Sequence, residues 1–185
     1  MKTLLEIYNK FYDPKTGWPD KNSVHSYLPV YEEILAPYRK TAKNILEIGL
    51  MSGESLRMWD EYFTGEVFGI DCDIKPINGK ADLTKAIDDG LYISIGDASD
   101  PKTINKFYKR LLFDVIIEDA SHDITQQLTI LGGLISYLND GGIYIIEDVQ
   151  DIDKHGHFFT DKGGQIIDRR HIKGRYDDVL IIFKE

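Results

Sequence analysis

Apolar residues recur along this chain in two periods, and the change from one to the other marks its organisation. Through residues 1–43 the spacing is helical. Leu4, Leu5, Tyr8 and Tyr12 fall on one face of a first helix, and Tyr27, Tyr31, Ile34 and Leu35 on one face of a second. Pro37 ends that second helix. From Asn44 onward, short apolar runs alternate with helical patterns. Strands are predicted at 44–48, 67–70, 91–95, 115–117 and 143–146, with a longer polar connection before the third. Between them lie three helices. One spans 52–63, with Leu56, Trp59 and Phe63 inward; one runs from Pro101 to Leu111 behind an Asp100 cap; one turns Ile124, Leu128, Leu131, Leu134 and Ile135 inward. The last two apolar runs, 165–168 and 179–183, are joined by a short stretch around Gly174 with no room for a helix. They read as a β-hairpin on the sheet edge.

This alternation predicts an α/β fold: a doubly wound, mostly parallel sheet of seven strands with a C-terminal antiparallel β-hairpin. Right-handed crossovers bring the carboxyl ends of the first, fourth and fifth strands to one edge. Ligands in such sheets bind outside those ends. The 185 residues fit one compact domain. Within it, 1–43 forms an N-terminal helical segment over the ligand side, and 44–185 forms the sheet.

The predicted strand ends carry the chemistry. Residues 113–122, FDVIIEDASH, are a buried-strand pattern that finishes in Glu118, Asp119, Ser121 and His122. Residues 142–148, GIYIIED, finish in Glu147 and Asp148. If these strands are neighbours, Asp119, Glu147 and Asp148 converge with His122 beside them. Three carboxylates and an imidazole suit a hard divalent cation with an adjacent base. Glu118 is expected to turn to the opposite side and form a structural salt bridge.

The loop after the first strand, 46–55, reads LEIGLMSGES. Gly49 permits a tight turn, and Gly53 allows close packing at a helix start. Met51 stands where G-x-G-x-x-G has its second glycine, which weakens the case for a pyrophosphate. Glu47 also disfavours a phosphate and suits an ammonium or sulfonium. Asp71 ends the second strand about 20 residues on, the place of a carboxylate for ribose hydroxyls. Asp97 and Ala98 follow the third strand, where an acceptor meets an adenine amino group. A nucleoside with a cationic tail fits best, and S-adenosylmethionine (SAM) is such a molecule.

Charge narrows the partners. With 22 basic and 31 acidic residues the formal charge is −9. That excludes a sequence-blind nucleic-acid binder and docking on anionic membranes. No apolar run approaches the ~20 residues that span a bilayer. The first residues read as an amphipathic helix and not a signal peptide, so a cytoplasmic protein is the default. Cys72 is the only cysteine, which excludes an internal disulfide and a Cys-based zinc site. His155 and His157 read as part of a solvated loop.

Taken together, Glu47, Gly49, Gly53 and Ser55, then Gly69 to Asp71, Gly96 to Ala98 and the closing hairpin resemble the class I SAM-dependent methyltransferases. The runs 117–122 and 141–148 resemble the metal-dependent sugar O-methyltransferases of macrolide and other natural-product glycosides, and the related cephalosporin-hydroxylase-like group. Asp20, Lys21, His25, Ser26, Tyr27, Tyr31 and Leu35 to Pro37 look like that group's entry segment. The resemblance implies a Rossmann-like fold. It implies Mg²⁺ or a similar cation on Asp119, Glu147 and Asp148, and His122 as general base beside Asp119. It implies a SAM site lined by Glu47, Gly49, Met51, Gly53, Ser55, Asp71, Asp97, Ala98 and Asp119. The acceptor would be a hydroxyl of a small molecule such as a sugar or glycoside. Characterised members carry extra segments that shape the acceptor site; here 1–43 and the 149–164 loop serve that purpose. Two alternatives stay open: an NAD-dependent oxidoreductase and a non-catalytic SAM- or metal-binding module. The oligomeric state also stays open, a homo-oligomer included.

Overall fold

The computed structural model describes residues 1–74 and 83–184. The polar connection after the second strand lies partly outside them. The described strands are β1 (Asn44–Ile48), β2 (Glu66–Asp71), β3 (Tyr92–Ile95), β4 (Phe113–Glu118), β5 (Leu138–Ile146), β6 (Gln165–Asp168) and β7 (Val179–Lys184). They form one sheet in the order β3-β2-β1-β4-β5-β7-β6. Pairings from β3 across to β5 are parallel, and β7 is antiparallel to both β5 and β6. The order reverses between β1 and β4, so the crevice outside their carboxyl ends is the sheet's switch point.

The described helices cover both faces. They are α1 (Leu4–Phe11), α2 (Leu28–Leu35), α3 (Glu54–Tyr62), α4 (Thr84–Asp88), α5 (Pro101–Tyr108), α6 (Ile124–Leu134), α7 (Ile152–His155), α8 (His157–Thr160) and α9 (Arg170–Lys173). Covering both faces is why the central strands read as unbroken apolar runs. Alternate residues divide between two cores. Ile45, Val115, Ile117, Ile143, Ile145, Leu180 and Ile182 pack against α1, α2 and α3. Leu46, Ile116, Tyr144, Ile146, Ile181 and Phe183 pack against α5 and α6. Local chemistry fixes the helix starts. Thr3 and Glu6 close a capping box on α1. Asp100 caps α5 ahead of Pro101, and Asp123 caps α6 through the N–H groups of Thr125 and Gln126.

Some expectations shift. The joint between β6 and β7 holds a helical turn, α9, which ends on Gly174 with φ of 71°. The final pair is antiparallel as expected, but β7 slots inside the sheet and β6 alone takes the edge. A left-handed glycine closes one helical turn in very few residues, so the short connection accommodates it. Residues 149–164 are also more ordered in pattern than a solvated loop. They include α7 and α8, pinned by buried Ile152 and Phe159. On α1 the inward residues are Leu4, Ile7 and Tyr8, whereas Leu5 is 49% exposed. No helix of the described residues is long and apolar enough to cross a membrane.

Gly49 shows how tightly the switch point is built. Its φ is 85°, and a Cβ there would stand 2.1 Å from the Asp119 carbonyl oxygen. Gly163 has φ of 89° with open space around it. Gly163→Ala should therefore cost only the left-handed strain, about 1 kcal/mol. Gly49→Ala adds a clash with backbone that cannot move aside, and should cost more than about 3 kcal/mol. Urea unfolding of the two variants measures the difference.

Candidate active site

Strand parity decides where each terminal carboxylate points. Glu47 shares the face of Ile45 on β1, Asp119 continues the face of Ile117 on β4, and Glu147 continues the face of Ile145 on β5. All three therefore turn toward the layer that holds α1, α2 and α3. Glu118, one residue out of phase, turns to the other face. There it accepts a hydrogen bond from Tyr144 Oη at 2.7 Å, and burial pushes its carboxyl up to about 8. The side is the one expected; the partner is a phenol in place of a salt bridge.

Residues 18–27 cross the strand ends and complete the site. Lys21 is fully buried. Its ammonium lies 2.5 Å from Glu147 Oε1, 3.0 Å from Asp119 Oδ2 and 3.7 Å from Glu47 Oε1. Tyr31 Oη donates to Glu147 Oε1 at 2.6 Å. Tyr27 Oη donates to Asp148 Oδ1 at 2.7 Å, and Trp59 Nε1 donates to Glu47 at 3.0 Å. His25 stacks on Tyr27, with Nδ1 3.2 Å from Asp148 Oδ1. Ser26 donates from both its N–H and hydroxyl to buried Asp178, which pins the segment to the start of β7.

His122 faces the other oxygens of the same carboxylates. Its Nε2 lies 3.6 Å from Asp119 Oδ1 and 3.5 Å from Asp148 Oδ2. Asp148 itself sits at φ of 55°, a left-handed turn that lifts its side chain out of the strand's alternation. Burial, reinforced by the Asp119 charge, pushes its carboxyl up to about 8. The Asp119 carboxylate, opposed by burial and aided by Asp148, raises His122 to about 8. Burial alone would raise Asp119, but Lys21 and His122 outweigh it and hold its carboxyl below the usual value.

Donor atoms of Asp119, His122 and Asp148 lie within 4.8 Å of one another, as do those of Asp20, His25 and Asp148. The first group fits a hard divalent ion. It offers carboxylate oxygens from two residues on the side of the cluster that borders a cleft, a donor set that suits such an ion. Glu147 does not join it among the described residues. Its carboxylate is turned to Lys21 and Tyr31.

Two clefts flank this group. One, of about 260 Å³, runs along the ends of β1 to β4 and is lined by Gly49, Met51, Asp71, Asp97, Ala98 and Asp119 of the expected cofactor set. Ser121, expected at the end of β4, lines it too, as do Leu50, Cys72, Gln126 and Ile130, which carried no ligand role in the sequence. Asp71 accepts from the Leu50 N–H at 2.7 Å, which ties the glycine loop to β2. The other cleft, of about 170 Å³, is lined by Trp18, Pro19, Asp20, Glu54, Ser55, His122 and Asp148. The two share Gly49, Leu50, Met51, Asp119 and Ala120.

Three expected cofactor residues sit elsewhere. Glu47 is buried beneath the loop, and the ammonium it meets is that of Lys21. Burial, partly offset by that ammonium, pushes its carboxyl up to about 7. Gly53 caps α3 with φ of 82°, and a Cβ there would meet Ala86 Cβ at 2.9 Å, so it serves packing. Ser55 borders the second cleft. Lys21 and Tyr31 carried no assigned role in the sequence. A lysine is presumed solvated and a tyrosine at helical spacing is presumed core.

No protein-family model matches the chain. It is 33% identical over 140 residues to 8-demethyl-8-alpha-L-rhamnosyl tetracenomycin-C 2'-O-methyltransferase of Streptomyces olivaceus, covering 71% of this chain and 35% of that one. It is 30% identical over 155 residues to demethylmacrocin O-methyltransferase of Streptomyces fradiae, covering 79% and 36%. Over that stretch the chain is a homologue of sugar O-methyltransferases. Among solved structures it is similar to the MycE methyltransferase of mycinamycin biosynthesis in complex with Mg, SAH and mycinamycin VI. That match has a TM-score of 0.61 and 28% identity, over 80% of this chain and 39% of MycE. The chain thus spans about a third of the length of the curated relatives it matches. The fold is the Rossmann-like methyltransferase fold, with its antiparallel C-terminal strands.

The charge arrangement predicts a titration. In metal-free protein the His122 imidazole should titrate near 8, and Asp119→Asn should bring it down toward its ordinary 6.5 or below. Because the folded value is raised, His122 contributes stability that is complete below pH 6.5 and fades as the pH rises through 8. NMR of the histidine ring protons in chelator follows the first, and thermal unfolding against pH follows the second.

Proposed function

We propose that this chain is a SAM-dependent O-methyltransferase that uses a divalent cation and methylates a hydroxyl of a sugar or polyol-like small molecule. One observation carries the reading. The cleft along the ends of β1 to β4 and the second cleft meet at Asp119 and Ala120, where the Asp119, His122 and Asp148 group stands. A methyl donor and an acceptor need such a shared wall, because transfer is an in-line displacement between adjacent molecules. The homology to rhamnosyl and macrolide O-methyltransferases supports the reaction class and the acceptor chemistry. The MycE complex with Mg and SAH supports the two cofactors.

On this reading Asp71 takes the ribose hydroxyls and Asp97 the adenine amino group, with the Gly49 turn against the methionine portion. Asp119 and Asp148 would hold a divalent cation, which would supply Lewis acidity that eases ionisation of the acceptor hydroxyl. His122 Nε2 removes the hydroxyl proton and returns it to solvent. The acceptor oxygen then forms its bond to the methyl carbon as the carbon–sulfur bond of SAM breaks, leaving a neutral thioether. Residues 18–20 wall the second cleft, so the N-terminal segment shapes the acceptor side. An NAD-dependent reading lacks support of this kind, since the homologues are methyltransferases.

The test pairs binding with turnover. Calorimetry should show SAH binding that Asp71→Asn weakens at least about tenfold. His122→Ala should leave SAH affinity unchanged and lower kcat by about 10²- to 10⁴-fold with Mg²⁺ and a glycoside or polyol acceptor. Undiminished methyl transfer in both His122→Ala and Asp148→Ala would overturn the assigned roles. SAH binding with no transfer to any such acceptor would favour the non-catalytic module.

A further inference from the structure

Lys21 has no place in the chemistry above, yet it is 0% exposed and stands behind the group that does. Its ammonium reaches Glu47, Asp119 and Glu147, which come from the three adjacent strands β1, β4 and β5. The Trp59 ring lies 6.0 Å away and the Tyr31 hydroxyl binds the same Glu147 oxygen. Three carboxylates within 3.7 Å of one nitrogen favour its charged form, so Lys21 stands there as an ammonium. Without a cation, carboxylates this close and this buried do not all stay ionised.

Asp119 is divided between two neighbours. Its Oδ2 faces Lys21, and its Oδ1 faces His122 in the outer group with Asp148. The carboxylates therefore form a cluster with an inner half, filled by a tethered ammonium, and an outer half open to the second cleft. The side chain of Lys21 is where a second cation would otherwise be drawn.

We propose that Lys21 is a positioning residue: its ammonium takes the place of a metal ion in the inner half of the cluster, turns Asp119 Oδ1 outward, and sets how tightly the outer half binds a divalent ion. This rests on the metal-dependent reading above. Two consequences separate it from a plain structural ion pair. A fixed positive charge across one carboxylate repels an incoming ion, so removing it should tighten divalent binding by at least about tenfold. A lysine that merely held the fold together would, on removal, loosen the ligands and weaken binding.

The experiment titrates Mn²⁺ alone, by calorimetry and electron paramagnetic resonance, into the parent chain, Lys21→Met, and Lys21→Met with Glu147→Gln. Lys21→Met is expected to bind Mn²⁺ at least about tenfold tighter than the parent, and adding Glu147→Gln is expected to reverse the gain. Equal or weaker binding in Lys21→Met overturns the proposal, as does a gain that survives Glu147→Gln. If Lys21→Met folds only when Mn²⁺ is present, the ion has replaced the ammonium and the proposal stands. If it stays unfolded in millimolar Mn²⁺, no divalent ion can take that place and the proposal falls. Absence of binding in the parent with binding in Lys21→Met would refute the metal-dependent reading and keep the assignment of Lys21. Absence in both refutes both.

Discussion

One buried ammonium holds this site together. Glu47, Asp119 and Glu147 are delivered to one face by strand parity, and nothing in the sheet itself neutralises them. Lys21 arrives from a different part of the chain and supplies the charge. Losing one partner of a buried ion pair typically costs about 3–5 kcal/mol, because the remaining charge is left without water. The contact therefore does two things. It makes an acidic strand-end cluster tolerable, and it docks residues 18–27 across the mouth of the sheet.

That docking connects fold to chemistry. Once the entry segment is fixed by Lys21, Tyr27 and Ser26, its Trp18, Pro19 and Asp20 wall a cleft on the far side of Asp119 from the one along the ends of β1 to β4. The switch point between β1 and β4 supplies the shared wall, with Gly49 letting the loop lie directly against the Asp119 backbone. Asp148 reaches the same place by a left-handed turn, a strain tolerated at sites where a side chain must be aimed. The result is two adjoining clefts with an imidazole and two carboxylates where they meet.

Much of the fold was legible from periodicity. β1 matches its expected bounds, and β2 to β4 differ from theirs at the ends. Strands buried on both faces leave continuous apolar runs that few other elements mimic. The placement of Asp119, His122, Asp148, Asp71 and Asp97 beside the clefts was legible too, because strand ends in a doubly wound sheet open onto such crevices. Glu47 and Glu147 were read as facing a ligand or a metal; both face Lys21. Nothing local marks that difference. Each sits in an ordinary acidic strand terminus, and their shared partner is 126 residues from Glu147 in sequence.

The alternation of strands and helices, the carboxylates and imidazole at the strand ends, and the acidic balance of the whole are written in the chain's residue order. These follow from side-chain period and residue type, which are local properties. Which carboxylate meets Lys21, that β7 lies inside β6, and that a lysine is buried among the strand-end carboxylates emerge only once the chain is folded. Those are outcomes of charge neutralisation and packing between segments far apart in the chain, where the energy of a group depends on neighbours that its own stretch of sequence does not name.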